Sequence, residues 1–171
     1  LPVPGVCNTG GYERVETLRL LEGKVQVYLP DMKYALEEPA RQLSGAGDYP
    51  AAARAAIREM FRQVGPWEIR EGLLVRGVLI RHLVLPGAHK DSLRLLNWLA
   101  DNFSPEDIRL SLMSQYTPPA GIAIRELQRP IFTYEYRKAC ERAEELGFLG
   151  YTQQRSSADA AYTPPFDGTG L

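Results

Sequence analysis

The chain has 171 residues, 44% of them apolar and 24% charged, with a net charge of −1. Those figures describe an ordinary globular domain with a real core, and they argue against a broad non-specific nucleic-acid surface, which needs a basic excess. No apolar run approaches the about 20 residues of a membrane helix, and Leu1–Gly5 lacks the basic start and apolar stretch of a signal peptide. A cytoplasmic protein without membrane or nucleic-acid partners is therefore expected.

Val3–Thr9 is a short apolar strand broken by Gly10-Gly11. Tyr12–Leu21 comes next as a short amphipathic helix, with Val15, Leu18 and Leu21 on one face. Val25–Leu29 is a β-branched run stopped by Pro30-Asp31. Asp48-Tyr49-Pro50 opens a helix, because proline suits a first turn, and Ala53, Ile57, Met60 and Val64 recur at helical spacing up to Gly65-Pro66. Leu73–Leu85 reads as one long buried strand ending at Pro86-Gly87. Asp91–Phe103 is a helix expected to turn Leu93, Leu96, Ala100 and Phe103 inward. Ser104-Pro105-Glu106-Asp107 makes a short turn before the strand Ile108–Met113. Thr133 is expected to cap a helix reaching Leu146, and Phe148–Thr152 is a last short strand. The Ser, Gly, Pro and Thr content from Gln153 onward reads as a loose tail.

Alternating strands and helices imply parallel strands joined by crossovers. Continuously apolar strands fit a sheet covered on both faces. The expected fold class is α/β: a piece of a βα-repeat, TIM-like barrel of about four parallel strands plus a short terminal strand. A complete eightfold barrel needs about 250 residues, and a doubly wound sheet is the alternative. Residues 1–152 form the barrel part and 153–171 the irregular tail.

In parallel α/β folds ligands bind at the C-terminal ends of the strands. Each apolar run here leads into polar residues: Asn8-Thr9-Gly10-Gly11, then Asp31-Met32-Lys33, then Arg81-His82, then Ser114-Gln115-Tyr116. Four such ends in succession look like one rim of a site. Asp31 and Lys33, two residues apart, point the same way if the strand runs through them. Together they suit a polar ligand or a cation, or form a solvated pair of little energetic worth. Each candidate also has a structural reading. His82 beside apolar residues fits a hydrogen-bonded interior histidine, and Arg81 fits an ion pair with Asp31 across neighbouring strands. Trp67 and Trp98 fit packing, and Arg54, Arg58 and Arg62 fit a solvated helix face.

Four segments taken in order carry a resemblance: Asn8-Thr9-Gly10-Gly11-Tyr12-Glu13, Tyr28-Leu29-Pro30-Asp31-Met32-Lys33-Tyr34, Ile80-Arg81-His82-Leu83-Val84-Leu85-Pro86-Gly87, and Ser111-Leu112-Met113-Ser114-Gln115-Tyr116. Over roughly residues 1–152 they resemble successive strand ends of the radical S-adenosylmethionine (SAM) superfamily, in its pyruvate formate-lyase activating enzyme-like group. The resemblance implies a partial βα barrel and a 4Fe-4S cluster held by a Cys-x3-Cys-x2-Cys loop. It also implies reductive cleavage of SAM to a radical that abstracts hydrogen from a glycyl-radical enzyme partner. By the same resemblance Asp31 and Lys33 lie near the SAM methionine end, and Asn8, Thr9 and Asp31 lie near a monovalent-cation position where Asn8 replaces a carboxylate. Arg81 and His82 would line the barrel near the cofactor, and Gln115 and Tyr116 would sit at the last barrel strand.

The chain departs from that pattern in its thiols. Its two cysteines, Cys7 and Cys140, cannot supply three cluster ligands, and each reads as a small buried hydrophobe. No Gly-Gly-Glu segment precedes Asn8, and the chain begins Leu1-Pro2-Val3-Pro4 without a methionine. The expectation is the C-terminal portion of such an enzyme, inactive by itself and binding SAM weakly or not at all. The competing expectation is a shortened, non-catalytic module whose open barrel edge drives a homodimer or domain swap. A weaker third reading makes Lys33 a Schiff-base amine of an aldolase-like lyase.

Overall fold

The computed structural model describes residues 3–148 and 150–152. The segment 153–171, expected to be a loose tail, lies outside the described residues. In chain order the elements are β1 (Val6–Thr9), α1 (Val15–Arg19), β2 (Val27–Pro30), α2 (Glu37–Ser44), α3 (Tyr49–Val64), β3 (Glu68–Arg70), β4 (Leu73–Leu83), α4 (His89–Asn102), β5 (Arg109–Met113), a 3-10 turn (Arg125–Gln128), α5 (Thr133–Glu145) and β6 (Gly150–Thr152).

The sheet runs β1-β2-β4-β5-β6, and every neighbouring pair along that path is parallel. Spatial order equals chain order. A doubly wound sheet reverses direction at a switch point, and this one does not. Right-handed crossovers stepping always the same way put every helix on one face. The helices do pack in sequence: Phe61 of α3 meets Phe103 edge-on at 5.2 Å, and Arg142 of α5 donates to Asn97 of α4 at 2.8 Å. The architecture is therefore α/β, with the strand order of a partial βα barrel, as the alternating pattern predicts.

The core lies between sheet and helices. Along β4 the helix-facing Val78, Ile80 and His82 are buried, while Leu79, Arg81 and Leu83 on the other face are half-buried, the period-two alternation of a strand. Leu110 and Leu112 of β5 join the same layer with Ile57, Met60 and Val64 of α3 and Leu95, Leu96 and Leu99 of α4. Pro50 sits in the first turn of α3, and Ala53, Ile57, Met60 and Val64 are its buried stripe, as their spacing predicts.

Several local expectations change. The long strand is preceded by β3, which pairs antiparallel to its first half. The connection is the two residues Glu71 and Gly72, with φ 51° and 79°, the left-handed pair of a tight hairpin. Trp67 lies just before β3, and its backbone occupies the place a Cβ on Gly77 would take. Arg109 stacks on the Trp67 ring at 3.7 Å. The short helix α2 lies between Lys33 and Asp48, where the apolar pattern marks no element. In α4 the buried residues are Asp91, Ser92, Leu95, Leu96 and Leu99, a face rotated from the one expected, because two polar residues turn inward. Thr133 does not cap α5; Phe132 precedes the helix, and Glu135 closes back on the Phe132 N–H at 2.9 Å. The Arg54, Arg58 and Arg62 row is more than a solvated face. Arg54 and Arg58 lie over the Trp98 ring, and Arg62 pairs with Glu59 and Glu22. Among the described residues, no helix is long and apolar enough to cross a membrane.

Candidate functional site

The parallel ladder continues past Pro30. The Asp31 N–H donates to the Thr9 carbonyl and the Met32 N–H to the Arg81 carbonyl, both at 2.9 Å. Asp31 thus stands between β1 and β4, at the C-terminal ends of three strands. Its carboxylate pairs with the Arg81 guanidinium, Oδ1 to Nη2, at 2.6 Å. Met32 is fully buried, while Asp31 is part-exposed and Lys33 exposed, so the two charged residues reach solvent on either side of a buried anchor. The Arg81 Nε is buried without a hydrogen-bond partner among the described residues.

Asn8 is exposed on β1, and Thr9 accepts the Gly11 N–H through Oγ1 at 2.9 Å. Gly11 is buried with φ 80°, and a Cβ there would strike the Asp31 carbonyl. The β1 end can approach β2 this closely only as glycine. Gln115 is exposed two residues beyond β5. Asn8, Thr9, Asp31, Lys33, Arg81 and Gln115 therefore sit along one edge of the sheet, as their places after successive strands predict.

His82 does not join them. Neighbouring residues of a strand face opposite ways, so with Arg81 on the open face His82 points into the helix layer, 2% exposed. Its Nδ1 lies 2.7 Å from the Met32 carbonyl and its Nε2 2.8 Å from the Ser92 hydroxyl. A carbonyl only accepts, so Nδ1 carries the proton and Nε2 accepts from Ser92. Burial pushes the imidazole pKa down to about 4, and the Met32 bond opposes this only in part. His82 is neutral near pH 7 and acts as a fastener beneath the rim.

It is one of several. Asp91, buried in the first turn of α4, accepts the Ala35 N–H at 2.9 Å and the Leu36 N–H at 3.0 Å. Burial raises its carboxyl pKa above the ordinary value despite those two bonds. Arg54 donates to the Ala35 carbonyl at 2.9 Å. The Tyr49 hydroxyl meets the loop from α3, accepting the Lys33 N–H at 3.1 Å. The loop carrying Asp31 and Lys33 is thus bonded by side chains from α3, α4 and β4. Sites need such support, since a side chain is placed only as well as the backbone beneath it.

Tyr49, Asp91 and Ser92 escape sequence reasoning as parts of this site. Tyr49 reads as a helix-opening residue, and Asp91 and Ser92 as the polar start of α4. The available signal is polar residues on a helix face that should be apolar. Cys7 and Cys140 lie on β1 and α5, each half-buried, and burial raises both thiol pKa values. Among the described residues no group of three or more His, Cys, Asp and Glu side chains is placed to hold a metal ion.

No protein-family model matches the chain. Over 148 residues, 84% of its length, the chain is 29% identical to an uncharacterized protein of Methanocaldococcus jannaschii. The match spans only 38% of that relative's own length.

Proposed function

We propose that this chain is the C-terminal portion of a radical SAM enzyme resembling the pyruvate formate-lyase activating enzymes, with its polar rim facing SAM. The supporting observation is the Asp31–Arg81 pair with Lys33 beside it, at the C-terminal ends of parallel strands in barrel order. The methionine end of SAM carries an ammonium and a carboxylate. Asp31 offers a partner for the first, and Arg81 and Lys33 offer partners for the second. Asn8, Thr9 and Gln115 add hydrogen-bonding groups along the same edge. In the intact protein the reading implies a glycyl-radical enzyme as partner.

The iron–sulfur cluster does not fit the residues present. It needs three thiolates, and the chain has two cysteines, on separate elements and with raised thiol pKa values. No step through a cluster is assigned to this chain, which is inactive alone under this reading. Calorimetric titration with S-adenosylhomocysteine tests the rim: weak binding that Asp31→Asn and Arg81→Met each reduce supports it, and wild-type-like binding by both variants refutes it. Anaerobic reconstitution tests the cluster argument, which stoichiometric uptake of iron and sulfide by this chain would overturn.

A second reading has its own observation. The outer edge of β1 has no strand beside it among the described residues, and Val6 of β1 and Val3 ahead of it are exposed by 56% and 89%. Unpaired edges recruit strands, so the alternative is a non-catalytic module that pairs with a second copy. Light scattering during gel filtration separates the two, since a monomer at all concentrations removes the alternative.

A further inference from the structure

We propose that Tyr49 is a positioning residue of the rim, its single hydroxyl fastening the end of β1 to the end of β2 and so fixing where Asp31 and Lys33 stand. The proposal rests on reading the rim as a ligand site. Tyr49 is the first residue of α3 and is 3% exposed. Its oxygen lies 2.9 Å from the carbonyl oxygens of both Gly10 and Asp31, and it accepts the Lys33 N–H at 3.1 Å. One proton serves two carbonyls, so the hydroxyl bridges the loops only while both stay close. A backbone group left dry and unpaired is costly, and each of the three loses this partner if its own loop drifts from the hydroxyl.

The ring itself has little freedom. Tyr12 stacks on it with centroids 5.7 Å apart, and Tyr34 meets it edge-on at 5.6 Å. The Tyr12 hydroxyl donates to Asp48, just before Tyr49, at 2.6 Å. The close approach of the two loops depends on Gly11, whose missing Cβ leaves room for the Asp31 carbonyl and the Tyr49 hydroxyl. Burial raises the phenol pKa, so the hydroxyl carries its proton near neutral pH. Asp31 is therefore held twice, its carbonyl by Tyr49 and its carboxylate by Arg81.

The test compares Tyr49→Phe, which keeps the ring and removes the hydroxyl, with Tyr34→Phe. Tyr34 follows Lys33 in the same loop, but its hydroxyl bonds Ser44 at 2.8 Å and not the backbone groups of Gly10, Asp31 or Lys33. Two quantities are read on the full chain: amide hydrogen exchange at Lys33 relative to Ile80 in the core, and affinity for S-adenosylhomocysteine. Loss of the Lys33 bond predicts about tenfold faster exchange at Lys33, and release of the clasp about tenfold weaker binding, in Tyr49→Phe, with neither change in Tyr34→Phe. Equal effects in both variants, or unchanged Lys33 exchange in Tyr49→Phe, overturn the proposal. So does faster exchange with undiminished affinity. If exchange responds as expected but the wild-type chain takes up no S-adenosylhomocysteine, the clasp stands and the rim of this chain by itself is not a SAM site.

Discussion

His82 predicts how the fold responds to acid. Its folded pKa is about 4 against an ordinary 6.5, so between those values the unfolded chain binds a proton that the folded chain refuses. Stability is therefore fully present above 6.5 and is lost as pH falls towards 4. At about pH 5 the unfolded histidine is almost wholly charged and the folded one almost wholly neutral, a difference of about 2 kcal/mol relative to about pH 8. Glu59 and Glu135 also lose stabilisation in acid, since arginine partners hold both at about 2, but their loss begins only below 4.5. Asp91 acts with the opposite sign, because its raised pKa favours the folded state as pH falls. Of the contributions lost in acid, the one in the upper part of the window is that of His82. Urea unfolding at pH steps from about 8 to about 5 measures it, with His82→Asn beside wild type. The asparagine amide keeps a donor for the Met32 carbonyl but does not titrate. It is expected to cost about 1–2 kcal/mol at the upper pH and to be nearly flat across the window. A wild-type slope retained by His82→Asn would refute the assignment.

Other perturbations test the same contacts. Gly11→Ala places a Cβ against the Asp31 carbonyl at φ 80° and is expected to cost more than about 2 kcal/mol in urea unfolding, whereas Gly10→Ala meets open space and is expected to be nearly neutral. Glu135 accepts from Arg129, Phe132 and Gly87. Glu135→Gln should cost about 2 kcal/mol at neutral pH. It should also flatten the stability profile between 4.5 and about 2, where the native carboxylate becomes protonated.

The strand and helix order was legible because the fold obeys period. Each apolar run of β1, β2, β4 and β5 is a strand, and α3 shows its stripe at Ala53, Ile57, Met60 and Val64. Strand-end polarity likewise located Asn8, Thr9, Asp31, Lys33, Arg81 and Gln115 on one edge. The features that escaped are those periodicity does not encode. The hairpin turn Glu71-Gly72 lacks the Asn or Asp that usually marks such turns, and β3 has only three residues. Helix α2 offers Ala40 and Leu43 as its apolar contribution and carries Pro39 in its first turn. His82 is the exception, because strand alternation alone sends it and Arg81 to opposite faces. Asp91 and Ser92 are buried because backbone N–H groups and an imidazole meet them there, which no hydropathy pattern contains.

Those buried polar residues make the rim loop one mechanical unit, and that claim has a thermodynamic signature. Tyr49 reaches the loop from α3, and Asp91 reaches it from α4. They bond different backbone groups, Lys33 in one case and Ala35 and Leu36 in the other. Were the loop a string of independent contacts, Tyr49→Phe and Asp91→Asn would add, within the about 0.3–0.5 kcal/mol typical of separate sites. Each single change should cost about 1–3 kcal/mol, since each leaves buried donors or acceptors short of a partner. In a loop held as a unit, the first release lets the segment move, and the second then removes a bond already weakened. The double variant should accordingly be less destabilised than the sum by about 1 kcal/mol. Strict additivity would mean that Asp31 and Lys33 are placed locally, by Tyr49 and Arg81 alone, with α4 serving only Ala35 and Leu36.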